Sequence, residues 1–327
     1  LAREEANSGL FAKADTREVA WTKTGNGTAE TQTEIKVEVN GSLVEIASGT
    51  SISMPTLSAG TDYAIWCAPD GTLEADTSFT VAPTANGRLV GGFHYAPGGN
   101  ATGTSGGNST AQINEYSFWD LKYRPSCDDP RGMTLVADGF WSDIYLLNTN
   151  PDVNGTSAFG VTIADGNSPP IIPAAFGGNG ATTYGSFKWY ECQEVFAAYG
   201  KKAPTYAEFM ALAYGVTEET DRGSDPGTTQ LDAARTSKWG VIQATGNLWV
   251  WGRDVIADGT GSGAWRDIAE GRGEIYTYND DLRAGIFGGL WFDGARAGSR
   301  SSRWADSVAP SFNSISGRGV CDHLILD

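Results

Sequence analysis

Ile35-Lys36-Val37-Glu38-Val39-Asn40-Gly41-Ser42-Leu43-Val44-Glu45-Ile46 places apolar residues at alternate positions before an Asn-Gly pair and resumes an apolar run after it. Alternation is the period of a strand with one buried face, and Asn-Gly supplies two residues that tolerate positive φ, so this stretch predicts a β-hairpin. The pattern recurs downstream. Tyr63-Ala64-Ile65-Trp66-Cys67 predicts a strand, Asp70-Gly71 a turn, and a further strand is expected to end near Phe79-Thr80-Val81. Short strands punctuated by Gly, Pro and Asn point to a β-sandwich. A polar loop from Pro97 to Asn108 follows, then an aromatic strand Tyr116-Ser117-Phe118-Trp119. The boundary is placed near Cys127–Pro130, giving a first domain of residues 1–126 and a second of 127–327.

The second part mixes elements, so the fold class is α+β. Phe140 to Leu147 reads as a buried strand. Trp189, Cys192, Val195, Phe196 and Tyr199 fall at helical spacing, with Gly200 as C-cap. Thr205 and Glu208 form a capping box for a second helix that ends before Gly215. Short strands are expected at Val241-Ile242-Gln243 and at Leu248-Trp249-Val250-Trp251.

Composition narrows the function. The chain of 327 residues carries 23 basic and 39 acidic side chains, a formal net charge of −16. Phosphates would repel such a chain, which argues against nucleic acid and anionic membranes as partners. No apolar run approaches the roughly 20 residues that span a bilayer, and no basic-then-apolar leader opens the chain. It begins at Leu1 rather than Met, as expected of a fragment or processed form. Glycine, at 43 residues, is well above average, and with 36 Trp, Tyr and Phe it predicts a loop-rich fold with rigid anchors. Cys67, Cys127, Cys192 and Cys321 are widely spaced and are read as buried free thiols rather than a disulfide framework. Two histidines, His94 and His323, leave little material for His-rich zinc chemistry.

From Ala284 onward the composition changes. Four Arg balance four Asp, and no Lys, Glu, Gln or Met follows Glu274. Trp291, Phe292, Trp304 and Phe312 stand among Ser, Gly, Ala and Arg. Arg and aromatics kept while Lys and Glu are depleted is the composition of interface cores. A Gly-rich tail that closes the core would look similar.

Gly317-Arg318-Gly319-Val320-Cys321-Asp322-His323-Leu324-Ile325-Leu326 resembles the C-terminal end of the major tropism determinants, receptor-binding tail-tip proteins of Bordetella phages. So do Gly91 to Gly98, Thr110 to Ser117, Asp129 to Ala137, Ser237 to Val241, Phe287-Gly288-Gly289, and the stretch from Thr24 to Ile65. The resemblance covers nearly the whole chain, which would start just after that family's small N-terminal β-prism domain. It implies a β-sandwich followed by a C-type-lectin-like domain, of the kind also seen in formylglycine-generating enzymes. It implies a homotrimer at the tail-fibre tip of the virion, adhering to a host cell-surface protein, with no membrane insertion. No cofactor is expected, while a structural calcium or magnesium ion stays open. In that family a diversity-generating retroelement rewrites the C-terminal segment, here about 284–327. Carried over without gaps, the variable, ligand-binding positions are Leu290, Phe292, Gly294, Arg296, Arg303, Ala305, Asp306, Pro310, Phe312, Ser314 and Ile315, with Trp291, Trp304 and Arg318 as scaffold. Randomising both adenines of an AAC codon cannot yield Lys, Glu, Gln, Met or Trp, and none of the eleven is one of these. Positions 290, 292, 294 and 296 repeat with period two. In extended backbone they would share one face and leave Trp291, Asp293, Ala295 and Ala297 on the other.

Two rival readings remain. Gly200 to Phe209 and Gly246 to Trp251 are similar to formylglycine-generating enzymes, whose oxidation chemistry needs two cysteines in one pocket, yet Cys321 is the only cysteine of the C-terminal segment. A calcium-dependent sugar lectin needs clustered carboxylate and amide ligands. The nearest groupings, Asp128-Asp129 and Asp280-Asp281, read better as solvated turns. His323 beside Cys321 and Asp322 sits against Leu324-Ile325-Leu326 and reads as part of a core strand, and His94 between Phe93 and Tyr95 as a packed residue. The Gly-rich 98–107 loop lacks the Lys-Ser/Thr end of a phosphate cradle.

Overall fold

A computed structural model describes residues 9–257, 262–266, 275–278 and 282–326. Strand outweighs helix among the described residues and the helices are short, so the α+β expectation shifts toward β. In chain order the strands are β1 Phe11–Lys13, β2 Trp21–Gly25, β3 Thr28–Thr31, β4 Ile35–Val39, β5 Ser42–Ile46, β6 Thr61–Cys67, β7 Leu73–Asp76 and β8 Arg88–Ala96. They continue with β9 Gln112–Ile113, β10 Trp119–Asp120, β11 Tyr123–Pro125, β12 Met133–Val136 and β13 Phe140–Asp143. Three α-helices follow, α1 Pro151–Asn154, α2 Trp189–Ala198 and α3 Tyr206–Leu212. The chain ends in β14 Trp249–Ala257, β15 Gly263–Arg266, β16 Ile275–Tyr278, β17 Leu282–Phe287, β18 Ser302–Ser307, β19 Ile315–Ser316 and β20 Val320–Ile325. Two compact units emerge: Leu1–Gly99 with Ser109–Trp141 and Asp322–Asp327, and Asn100–Asn108 with Ser142–Cys321. No helix among the described residues is long and apolar enough to cross a membrane.

In the first unit the hairpin forms in the expected register, with Ile35 opposite Ile46 and Val37 opposite Val44. Asn40 (φ 49°) and Gly41 (φ 76°) both take positive φ, as a two-residue hairpin loop requires. The alternate β4 residues Ile35, Val37 and Val39 are buried with Trp21, Tyr63, Ile65 and Phe93 in one core. Around that core lie a sheet β1-β4-β5, a sheet β10-β8-β6-β7 that also takes in β9, and the hairpin β2-β3. The strand expected to end near Val81 is β7, which stops at Asp76; beyond it Asp76 Oδ1 accepts from the Ser78 amide and turns the chain. His323 is a packed residue. Its Nδ1 accepts from Trp141 Nε1 at 2.8 Å and its ring meets Tyr123 edge-on at 4.2 Å, while burial pulls its pKa down. His94 Nδ1 lies 3.0 Å from Asp62 Oδ1 in the same unit.

The second unit is organised on the sheet β18-β17-β14-β19. Helices α2 and α3 begin at Lys188 and at the Thr205/Glu208 capping box, and turn Cys192, Val195, Phe196, Phe209 and Leu212 inward. Two strand expectations fail. Regular strand ends at Asp143, although Ile144 to Leu147 stay fully buried, and Val241-Ile242-Gln243 is a turn with Gln243 at φ 52°. Both departures have one physical cause. The fully buried Arg318 guanidinium donates to the carbonyls of Asp143 (2.9 Å), Ile144 (2.7 Å), Ile242 (2.8 Å) and Gln243 (3.2 Å), and the Ile242 amide donates to the Ile144 carbonyl (2.9 Å), so the two segments are tied to this side chain and to each other rather than extended as strands. Burial works against the charge of Arg318, which the four carbonyls and nearby Asp143 offset. Beside it, the buried Lys201 Nζ meets Asp143 Oδ1 at 2.5 Å and Thr156 Oγ1 at 2.8 Å. The Gly-rich loop docks within this unit, Gly106 and Gly107 donating to the carbonyls of Gly215 and Ala233.

Candidate functional site

The sheet supplies a floor. Trp249 pairs with Ile315 across β14 and β19, and Trp251 pairs with Ile286 across β14 and β17. Trp249, Ile286, Leu290 and Ile315 are buried and belong to one apolar cluster. They line a cavity of about 790 Å³ whose walls and rim come from Phe292, Asp293, Arg296, Arg300 to Arg303, Asp306, Phe312 and Ser314.

One wall is β18. Between Ala284/Ile286 on β17 and Arg303/Asp306 on β18 the register slips, so that Gly285 faces two residues, Trp304 and Ala305. Positions i and i+3 of a regular strand point to opposite faces; the extra residue restores them to one face. Arg303 Nε thereby comes 3.1 Å from Asp306 Oδ2, inside the cavity. Asp306 is only 7% exposed, and burial pushes its pKa up against the opposing pull of Arg303 and Arg283. Trp304 turns away from the cavity, half-buried against Phe287 (5.8 Å) and Tyr206 (6.2 Å).

The other wall, residues 290–301, corrects the period-two expectation. Leu290 bridges to Asn247, Trp291 and Phe292 turn, and Gly294–Arg296 is a 3-10 helix. Asp293 makes the turn: its Oδ2 accepts from the Leu290 amide at 2.7 Å and its own amide donates to the Leu290 carbonyl at 3.1 Å. Gly294 follows at φ 56°, where a side chain would be strained. Asp-Gly is a turn signal of the same kind as Asn40-Gly41, and reading it would have ended the strand at Trp291. The loop is also held by residues far away in sequence. The Asp221 carboxylate accepts from the Gly294 amide, and Glu218 accepts from the Ser299 amide (2.8 Å) and hydroxyl (2.5 Å). At Gly289 (φ 89°) an added Cβ would lie 2.6 Å from Ala297. Asp221 and Glu218 were not singled out by sequence reasoning, because nothing local to them reports contacts 73 and 81 residues away.

Of the eleven carried-over positions, Leu290, Phe292, Arg296, Arg303, Asp306, Phe312, Ser314 and Ile315 line the cavity, while Gly294, Ala305 and Pro310 do not. They differ in depth. Phe292 is 68% exposed and Arg303 protrudes, whereas Leu290 and Ile315, at 5% and 2%, are floor rather than open surface. Trp291 is half-buried, its ring edge-on to Phe292 at 5.8 Å. Among the described residues no group of three His, Cys, Asp or Glu could hold a metal ion. Asp129 is engaged by Arg131, and Asp280-Asp281 lie outside the described residues. Cys67, Cys127, Cys192 and Cys321 are buried thiols outside any disulfide, and burial pushes the Cys192 thiol far up.

Comparisons with known proteins agree along the chain. The family described as Mtd second domain matches residues 19–120. The tail fiber receptor-binding protein of Bordetella phage BPP-1 is 48% identical over 340 residues, spanning 100% of this chain and 88% of that protein. Solved structures titled Major Tropism Determinant U1 Variant and M1 Variant superpose with TM-scores of 0.93, at 47% and 48% identity, over 100% of this chain and 89% of each.

Proposed function

This chain belongs to the family of the major tropism determinants, and on that premise we propose that the cavity bounded by residues 290–315 is where it holds its receptor. The chain is a receptor-binding protein of a phage tail fibre, carried on the virion and acting at the host surface. The receptor is read as a cell-surface protein. The first unit is read as a β-sandwich and the second as a C-type-lectin-like carrier, within a two-domain arrangement of residues 1–126 and 127–327. Retroelement-driven change would fall on the eleven positions, with Trp291, Trp304 and Arg318 held constant.

The observation that carries this reading is convergence. Eight positions scattered over 26 residues of sequence, on a loop, an edge strand and a turn, line one concavity. An apolar floor with aromatic and Arg groups at its rim is the composition of binding hot spots. Binding is read as non-enzymatic and independent of any cofactor; four buried thiols offer no exposed reactive pair. A homotrimer would repeat the site and add avidity without new contacts. The test is adsorption of the full chain to susceptible cells. Phe292→Ala, Arg303→Ala and Phe312→Ala should each weaken it, the two Phe variants with an unchanged melting temperature, and chelator should leave it intact. Undiminished adsorption by the triple variant would refute the reading.

A further inference from the structure

The cavity's charges are unevenly used. Five ionisable side chains line it: Arg296, Arg300, Arg303, Asp293 and Asp306. Asp306 is spent on Arg303, and Asp293 directs a carboxylate oxygen at the Leu290 amide. Arg296 and Arg300 remain, both exposed and neither in an ion pair or side-chain hydrogen bond with any described residue. Two open guanidiniums therefore stand at the rim of an apolar seat formed by Trp249, Ile286, Leu290 and Ile315, on a chain whose net charge is −16.

We infer that the site takes an acidic segment of a protein, with an apolar side chain seated on the floor and flanking carboxylates held by Arg296 and Arg300. The inference rests on the attachment reading above and names the chemistry of its partner. A guanidinium presents paired N–H donors that match a carboxylate in both charge and shape. Strong net negative charge repels an acidic partner at long range, so the attraction has to be local, within a Debye length of about 8 Å at physiological salt. Arg296 and Arg300, unpaired among the described residues, provide that local attraction beside the seat. Ser301, Ser302 and Ser314 on the same lining add neutral hydrogen-bonding groups that serve a peptide backbone. Arg300 lies outside the eleven carried-over positions, so preference for acid would persist in part when its neighbours change.

The experiment uses the full chain and two acetylated, amidated peptides, one with a leucine between two glutamates and one with a leucine between two glutamines. The glutamate peptide should bind at least ~10-fold more tightly, the scale of one charge-assisted pair. Arg296→Gln with Arg300→Gln should abolish that preference at unchanged melting temperature, and Arg296→Lys with Arg300→Lys should retain part of it. Equal binding of the two peptides, binding of neither, or tighter binding of sialyllactose than of the glutamate peptide would overturn the inference. Cell adsorption separates this from the attachment reading. If the Phe292, Arg303 and Phe312 triple alanine variant stops adhering while the double glutamine variant adheres as before, only the acidic partner is wrong. If both adhere normally, the attachment reading fails as well.

Discussion

Residues 317–321 and 290–296 share one C-terminal stretch and are built in opposite ways. In the first, every residue is buried and Arg318 gathers carbonyls from two distant parts of the chain. In the second, Phe292, Ala295 and Arg296 are exposed, and the backbone is fixed by Asp293 and Asp221, with Glu218 holding Ser299 just beyond. One segment stabilises through its side chains. The other is positioned through its amides, so its exposed side chains carry little of the folding free energy. The contrast predicts a ranking of substitutions.

Arg318→Met should have the largest effect. It leaves the buried carbonyls of Ile242 and Gln243 without their guanidinium donor, takes one of two donors from those of Asp143 and Ile144, and removes the charge beside Asp143, costing about 3–5 kcal/mol in denaturant unfolding. A change below about 1 kcal/mol would erase the contrast. Gly289→Val comes next, at about 2–4 kcal/mol, since it combines a positive φ with a Cβ pressed on Ala297. Cell adsorption should fall with it, because the loop carrying Phe292 and Arg296 would shift. Asp306→Asn tests the cavity's buried acid. Its folded-state pKa is raised, so the folded protein binds this proton more tightly than the unfolded chain, and stability from this group falls as pH rises from about 4 through the raised value. Melting temperatures from pH 4 to 7 should decline less steeply in the Asn variant. Phe292→Ala, at an exposed position, should shift stability by no more than about 0.5 kcal/mol while weakening adsorption. An effect on stability as large as that of Arg318→Met would reverse the assignment of the two segments.

The same division explains what could be read from sequence. The β4–β5 hairpin was legible because its information is local: alternation sets the faces and Asn40-Gly41 sets the turn. Helices α2 and α3 were legible through spacing and the Thr205/Glu208 box. The period-two face at 290–296 was misread because the apolar pattern was followed past Asp293-Gly294, a local signal that outweighs it. The buried non-strand at Ile144–Leu147 and the turn at Val241–Gln243 depend on one arginine more than 70 residues away, and no window of sequence contains that bond. The positions proposed to vary came from resemblance, and the gathering of eight of the eleven around one cavity involves the β18 bulge, which periodicity does not announce.

The clamping of the 290–301 loop by Asp221 and Glu218 has a consequence for how such a chain can evolve. Its staples lie in a part of the gene that is separate from the codons they constrain, so mutation of the loop's tip leaves the staples untouched. Exposed tip positions such as Phe292 and Arg296 can then change without loss of these two anchors, whereas Leu290, Gly294 and Ile315 answer to the fold as well.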